Sequence, residues 1–547
     1  MKYNLFKTLC ALTAGCCLGA CTQNYLDINS NPYEVTRKQM EARDYAIASG
    51  LAAMFGAVIS TDVNTAQFTD CLLGGTQGGY YADANNGWTA TISKYNPTDN
   101  WTNVFLYSDK VLPQLYGNMS NVEGISDDPL VRAILKIVKV CLLDRVTDTY
   151  GPIPYSEIGS TGKIQVAYDD QPEVYRQMFD ELDEAIALLD ANPDRSISPT
   201  TDLLFDGSAR RWCRLANSMK LRLAVRVVYT DFRSSKGLSP QQLAEQAVAH
   251  TVGVMQANDD NAALSPLAFG KDGNPLYTAC MYNTPAGSLT GGDSHAAADI
   301  VCYMNGYRDP RREKYFTQAR FPGDHAPEYV GMRRGAAIPA LSTVGLLYSG
   351  INFVEGMATP LQWMNAAEVT FLRAEAAAVF GWKMNGEARD LYERGVRLSF
   401  EQWGVGGVEE YLAGRTLPET YVDPNGGIAS WSEQLSTLPV AWNDSASKEE
   451  MQERILIQKW IANFHLGNEA WADIRRTGFP RLIPAVESVV GNNSQGIRNL
   501  RLGARRMPYP ADEATNNPEN YAAAVARLGG PDNMATRMWW DCNPAVK

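Results

Sequence analysis

Segment after segment of this chain repeats its apolar residues at helical spacing, and that periodicity limits the fold more than any other feature. Across 129–142, Leu130, Ile134, Ile137, Cys141 and Leu142 fall on one side of a helix. Phe179, Leu182, Ala185, Ile186 and Leu189 do the same across 172–190, as do Trp212, Leu215, Met219, Leu223 and Val227 across 208–228. Ser126-Asp127-Asp128 ahead of Pro129 reads as a helix start. A short acidic side chain there takes up unpaired N–H groups, and proline in the first turn has no N–H to waste. Further helices are expected at 40–58, 100–117, 240–257, 366–380, 387–403 and 449–464. The spacing predicts a mostly α protein.

The stretch 372–400 supports a sharper reading. A tetratricopeptide unit sets large and small residues at fixed offsets so that two antiparallel helices pack closely. Leu372, Ala376, Ala388, Tyr392 and Gly395 fall on that register, and Gly381 ends the first helix. Glu375 and Val379 depart from it, and Phe400 stands where proline is usual, so an unrelated helical hairpin stays open. The basic positions Arg210, Arg211, Arg214, Lys220, Arg222 and Arg226 are expected to form a solvated face paired with acids.

Long irregular stretches separate the helices at 70–96, 264–294 and 421–447. Loops of that length in a folded domain tend to carry function or be disordered, and the many aromatics argue against disorder. The chain holds 12 Trp and 26 Tyr. Flat rings suit the apolar C–H faces of sugars, while neighbouring amides satisfy hydroxyls. Trp101, Trp212, Trp460 and Trp471 lie in helical patterns and are expected to pack helices together. Tyr80, Tyr81 and Trp88 share a Gly/Asn-rich loop without helical period. With Asn86 they are the candidate ligand contacts.

The first twenty-one residues set the compartment. Lys2 and Lys7 flank an uncharged run over 9–18, too short to cross a bilayer and typical of a signal-peptide core. It closes on Leu18-Gly19-Ala20-Cys21, a lipobox, so Cys21 is the expected lipidation site and 1–20 the removed signal. One acyl chain anchors only marginally, whereas a multiply acylated cysteine anchors almost permanently. Without Lys2 and Lys7 the 49 basic residues become 47 against 61 acidic, an excess of negative charge that argues against nucleic-acid binding. Six cysteines remain beyond Cys21, without metal-finger spacing.

Enzyme signatures are missing: no H-E-x-x-H, G-x-S-x-G, Walker-type phosphate loop or dinucleotide-binding glycine motif occurs. His250, His295, His325 and His465 are far apart in sequence and are expected at the surface or hydrogen-bonded in place. Asp83-Ala84-Asn85-Asn86-Gly87 hints at a calcium loop, but its glycine comes one place early. No metal, cofactor or catalytic residue is assigned.

Several stretches, taken in order, resemble the SusD/RagB family of nutrient-binding outer-membrane lipoproteins. They include the lipobox with Leu26-Asp27 and Asn31-Pro32, Asp148-Thr149-Tyr150-Gly151-Pro152-Ile153-Pro154-Tyr155, and Asn217-Ser218-Met219-Lys220-Leu221-Arg222. Asp309-Pro310-Arg311, Phe371-Leu372-Arg373-Ala374-Glu375-Ala376, Trp471-Ala472-Asp473-Ile474-Arg475-Arg476-Thr477-Gly478 and Arg506-Met507-Pro508-Tyr509-Pro510 follow. The resemblance implies an α-α superhelical scaffold of tetratricopeptide-like hairpins, with long irregular loops carrying the ligand site. It also implies a SusC-like TonB-dependent transporter as partner, with this protein as its lid at the outer membrane. The division expected is signal 1–20, lipidated lead 21–37 and one helical domain 38–547. The expected ligand is an oligosaccharide, with a peptide as the alternative. A lipid-anchored glycoside hydrolase or a surface scaffold without ligand remain less favoured readings. Within the family's motifs, Gly151 and Pro152 are expected to end a helix and Asp473 to pair with an arginine.

Overall fold

Pro129–Tyr150 is capped as its sequence dictates: the Asp128 side chain accepts from Leu130 N at 2.9 Å, and Gly151 at φ +93° ends the helix. The computed structural model describes residues 43–84, 91–159, 165–282, 284, 292–320, 328–486 and 495–546. The scaffold helices are α1 (Arg43–Val58), α2 (Pro129–Tyr150), α3 (Gln171–Asp190), α4 (Ala209–Arg226) and α5 (Pro240–Ala249). After the short α6 (Pro275–Cys280) come α7 (Ala366–Phe380), α8 (Ala388–Trp403), α9 (Lys448–Ala462) and α10 (Gly467–Thr477). α2 is buried on nearly every side, so it reads as the central rod rather than an amphipathic surface helix. α3 packs along it through Val174, Tyr175, Met178, Phe179 and Leu182.

The α7–α8 pair is the hairpin expected from 372–400. Gly381 sits at φ +70° and closes α7, a conformation open to glycine without steric cost. Gly395 lets the two helices touch: a Cβ there would stand 2.7 Å from the Phe371 ring. α9 then packs against α7, extending the stack. Two antiparallel two-stranded ribbons pin the long connections. β1 (Tyr81–Asp83) pairs with β3 (Ser294–Ala296), with Tyr81 opposite Ala296 and Asp83 opposite Ser294. β2 (Ala262–Leu264) pairs with β4 (Leu361–Met364), with a bulge between Ala262 and Ala263.

Two expectations that bear on the scaffold change. The stretch 70–96 is not loop throughout: Gln67–Gly75 is a π-helix, packed so closely on α10 that a Cβ on Gly467 would lie 2.2 Å from the Gly74 carbonyl carbon. The basic stripe of α4 is only partly a solvated face. Lys220, Arg222 and Arg226 are buried, because acids from other helices meet them inside the stack. Arg222 grips Glu368 of α7 in a bidentate pair (2.8 and 2.9 Å). Arg226 bonds Asp148 of α2 (2.9 Å) and Glu469 of α10. Lys459 of α9 bonds Asp473 (2.6 Å) and Glu469 (2.9 Å), and Arg476 of α10 bonds Glu375 of α7 (2.7 and 2.8 Å) and Asp473 (2.9 Å). The arginine expected for Asp473 is thus Arg476. Trp101, Trp212, Trp460 and Trp471 are buried packing residues, as their helical setting implies.

Removing one member of such a pair strands the other away from water. Glu375→Ala leaves Arg476 with Asp473 alone and is expected to destabilise the fold by about 3–5 kcal/mol. Glu375→Gln, which keeps an acceptor, is expected to lose less. Denaturant unfolding of both variants beside the parent measures the difference.

Candidate functional site

A cleft of about 750 Å³ opens among the described residues, a size typical of small-molecule sites. Its walls come from the β2/β4 ribbon, the end of α8, the chain just after α9, and the segment Phe353–Glu355. A second void, inside the scaffold between Asp144, Asp148, Arg222 and Glu469, measures about 40 Å³ and has room for little more than water.

One side of the cleft is aromatic. The His465 ring stacks on Phe353 (centroids 4.6 Å apart, planes 17° apart) and lies 4.2 Å from Phe464. Phe464 in turn stacks on Tyr315 at 4.4 Å, and Trp403, the last residue of α8, lies 4.5 Å from that tyrosine. His465 occupies the tight connection between α9 and α10 at φ +81°, a left-handed conformation that costs a residue with a Cβ. The turn persists because both flanking helices are fixed by the buried ion pairs. The polar side of the cleft is a ladder of amides. Asn261 donates to Gln402 at 3.4 Å, Gln402 to Gln362 at 3.0 Å, and Gln362 to the Met364 carbonyl at 3.0 Å. Nearby, Asn365 donates to Asn463 at 2.9 Å and Asn258 to the Leu398 carbonyl at 3.1 Å.

Burial pushes the His465 imidazole down to about 3, so the ring is neutral across the physiological range. Its Nδ1 meets the Tyr81 hydroxyl, and burial holds that phenol well above its ordinary value. Among the hydrogen bonds of the described residues, neither His465 Nε2 nor Trp403 Nε1 has a partner.

The expected contacts sort into three groups. Tyr80 is buried: its ring stacks on Trp460 (5.6 Å) and its hydroxyl donates to the Trp460 carbonyl at 2.6 Å. Tyr81 is also buried and reaches the cleft only through His465, as a support behind its wall. Both rings are thus covered by the scaffold: Trp460 and Phe464 pack on Tyr80, while Tyr81, held opposite Ala296 by the β1–β3 pairing, packs on Phe464 and His465. Asn86 and Trp88 lie outside the described residues, as does Cys21. The chain leaves the described part at Ala84, whose N–H donates to the Asp293 carbonyl at 2.7 Å. Phe353, Phe464 and His465 were not singled out by the sequence. Trp403 had a weak signal, as a large ring at the end of a helix followed by Gly404.

Among the described residues, Asp190, Cys213 and His250 bring three metal-ligand atoms within 4.8 Å of one another. His250 Nε2 lies 2.9 Å from Asp190, and its Nδ1 accepts from Val252 N at 3.2 Å. With Nδ1 accepting, Nε2 carries the proton and has no lone pair for a metal. Asp190 and the Val252 N–H thus occupy both ring nitrogens of His250.

A family model described as Susd and RagB outer membrane lipoprotein matches residues 27–541. The chain belongs to this SusD-like family. A SusD homologue from Bacteroides uniformis shares 50% identity over 91% of this chain and 99% of its own, with a TM-score of 0.84. One from Bacteroides ovatus shares 37% over the same fractions, at a TM-score of 0.83. A chitin-binding SusD homologue from Flavobacterium johnsoniae shares 36%, again over 91% and 99%, at a TM-score of 0.80. No curated protein matches the chain. The helical scaffold described above is thus the SusD-like fold.

Burial also lowers the His295 imidazole, to about 4. An unfolded histidine titrates near ~6.5. Below that pH the unfolded chain binds protons that the folded chain refuses, so these residues leave stability intact above about pH 6.5 and erode it toward pH 4. His295→Gln is expected to flatten that acid decline by about 1.4 kcal/mol per pH unit. Unfolding free energies measured at intervals from pH 7 to pH 4 check the slope.

Proposed function

We propose that this SusD-like protein is a non-catalytic outer-membrane lipoprotein that captures oligosaccharides at the cell surface and passes them to a SusC-like TonB-dependent transporter, for which it serves as the lid. The observation that carries the ligand reading is the pairing, in one cleft, of the Phe353–His465–Phe464–Trp403 wall with the Asn261–Gln402–Gln362 ladder. Ring faces match the C–H faces of pyranoses, and side-chain amides both donate and accept, as hydroxyl and acetamido groups require. Chitin binding by the relative at 36% identity favours N-acetylated sugars as the first ligands to try. Asn86 and Trp88, on the stretch that follows Ala84, are proposed as further contacts. Acylation of Cys21 would hold the domain at the membrane while the polar lead gives it reach.

Nothing in this scheme requires bond breaking. Capture needs only differential affinity, and delivery needs the transporter to weaken the site when it closes. The amide ladder would also serve a peptide backbone, which is why peptides form the second arm of the test.

Titration calorimetry of the mature protein against chitooligosaccharides, cello-oligosaccharides and a mixed peptide library tests the reading. Binding of a glycan without turnover is expected, and Trp403→Ala or Trp88→Ala is expected to weaken it about tenfold or more, equivalent to ~1.4 kcal/mol. Binding confined to peptides, or hydrolysis of the glycan by the protein alone, would overturn it. Co-purification with an outer-membrane barrel from native membranes, lost when Cys21 is replaced by Ala, is expected for the partnership.

A further inference from the structure

The π-helix and α6 meet through a pair of thiols that neither the fold nor the ligand site uses. Cys71 and Cys280, 209 residues apart in sequence, have their sulfur atoms 3.7 Å from each other. Both side chains are fully buried, and Cys71 also points its thiol toward the Leu276 carbonyl of α6 at 3.9 Å. No other two cysteines among the described residues are in contact: Cys141, Cys213 and Cys302 are buried separately, and Cys542 donates to the Tyr229 carbonyl. Two small apolar-like side chains could simply pack this way. Yet this is a family of outer-membrane lipoproteins, whose members cross a compartment where thiols are oxidised.

We propose that Cys71 and Cys280 form an intramolecular disulfide in the exported protein, fastening the π-helix to α6. Both sulfurs already stand at van der Waals contact, so the bond needs a closure of about 1.7 Å, within reach of side-chain rotation and a small helix shift. The bond forms by exchange with the disulfide of a thiol–disulfide oxidant. One cysteine's thiolate attacks that disulfide, giving a mixed disulfide and releasing one oxidant thiol. The other thiolate then attacks the bridged sulfur, forms the Cys71–Cys280 bond and expels the second oxidant thiol. Each cysteine loses its proton, and the two electrons leave on the oxidant, reduced to its dithiol.

Timing follows from burial. In the finished fold the Cys280 thiol and the apolar surroundings keep Cys71 protonated, so exchange belongs to folding, before the two helices close over the pair. The same burial then shields the bond from reductants. The bridge acts on the cleft because α6 supplies Leu276 to its wall, and Asn274, which caps α6, lines it too. A tie from Cys280, the last residue of α6, to the π-helix fixes that wall to the part of the scaffold packed on α10.

The test uses the full chain isolated from outer membranes, denatured without reductant, alkylated and weighed intact. Four labels among the six cysteines beyond Cys21 are expected, with a peptide linking Cys71 to Cys280 after proteolysis. Six labels, or a linkage between other cysteines, would overturn the proposal. Cys71→Ser, Cys280→Ser and the double variant are expected to lower the melting midpoint by about 3–6 °C to equal extents. Non-equal losses, or none, would count the contact as packing. Glycan binding measured on the same samples reports separately on the function proposed above, since the bridge can be present or absent whatever the ligand is.

Discussion

Charge buried between helices that are far apart in the chain is the constraint on which this structure rests. Arg222 and Arg226 of α4, Lys459 of α9 and Arg476 of α10 face Asp148 of α2, Glu368 and Glu375 of α7, and Glu469 and Asp473 of α10. Burial alone would raise the Glu469 carboxyl, but Arg226, Lys459 and Arg222 outweigh it and hold the group well below its ordinary range. Asp144 shows the opposite balance: burial, with Asp148 nearby, raises it to about 8 despite Arg226 and Arg222. The arginines are shared among better-placed acids, and Asp144 is kept protonated. A buried ion pair gives little net stability over a well-packed apolar pair, yet one misplaced helix strands several charges at once. Register is what these pairs supply.

That register explains the cleft. The His465 turn is strained, and such a turn holds only where both neighbours are fixed. Lys459 on the last turns of α9 and Glu469 on the first turns of α10 bond to each other across it. The aromatic wall hangs on the same junction: Phe464 and His465 follow α9 directly, and Trp403 ends α8 one hairpin away. Irregular segments then complete the recess from outside, with Phe353 brought onto His465 and the β2/β4 ribbon supplying Gln362.

Periodicity made the scaffold legible. Leu130 through Leu142, Trp212 through Val227 and the Gly381/Gly395 hairpin all lie where apolar spacing, caps and small residues place them. The Lys220–Arg226 half of α4 did not, since a charged side chain on a helix carries no mark of whether a partner waits outside or inside the stack. Glu375 departs from the repeat register for the same reason: it is the inward partner of Arg476. The site was less legible. Tyr80 and Tyr81 stood out because they interrupt a Gly/Asn-rich stretch, but Trp460 and Phe464 cover the first, and the second is seated by a strand pairing with residues 294–296, more than two hundred positions away. Phe353, Phe464 and His465 have no local signature, since their stacking is made entirely by tertiary approach. The Cys71–Cys280 contact is of that kind too.

The distribution of charge sets the chemistry left for the cleft. The charges that fix the scaffold face one another in the interior, while the aromatic wall and the amide ladder are neutral, His465 included. Neutral amides and ring faces impose little desolvation cost on a polyhydroxylated ligand and none of the long-range attraction that would draw in ions. Asp206, Arg211, Asp259 and Glu355 complete the lining elsewhere, so charge enters only at the other walls, and these two walls discriminate by the spacing of hydrogen bonds and the fit of ring faces. A modest shift in such walls removes several weak contacts together. Under the proposed function, a rigid charged frame behind these uncharged walls reconciles a stable body with a site that can let go.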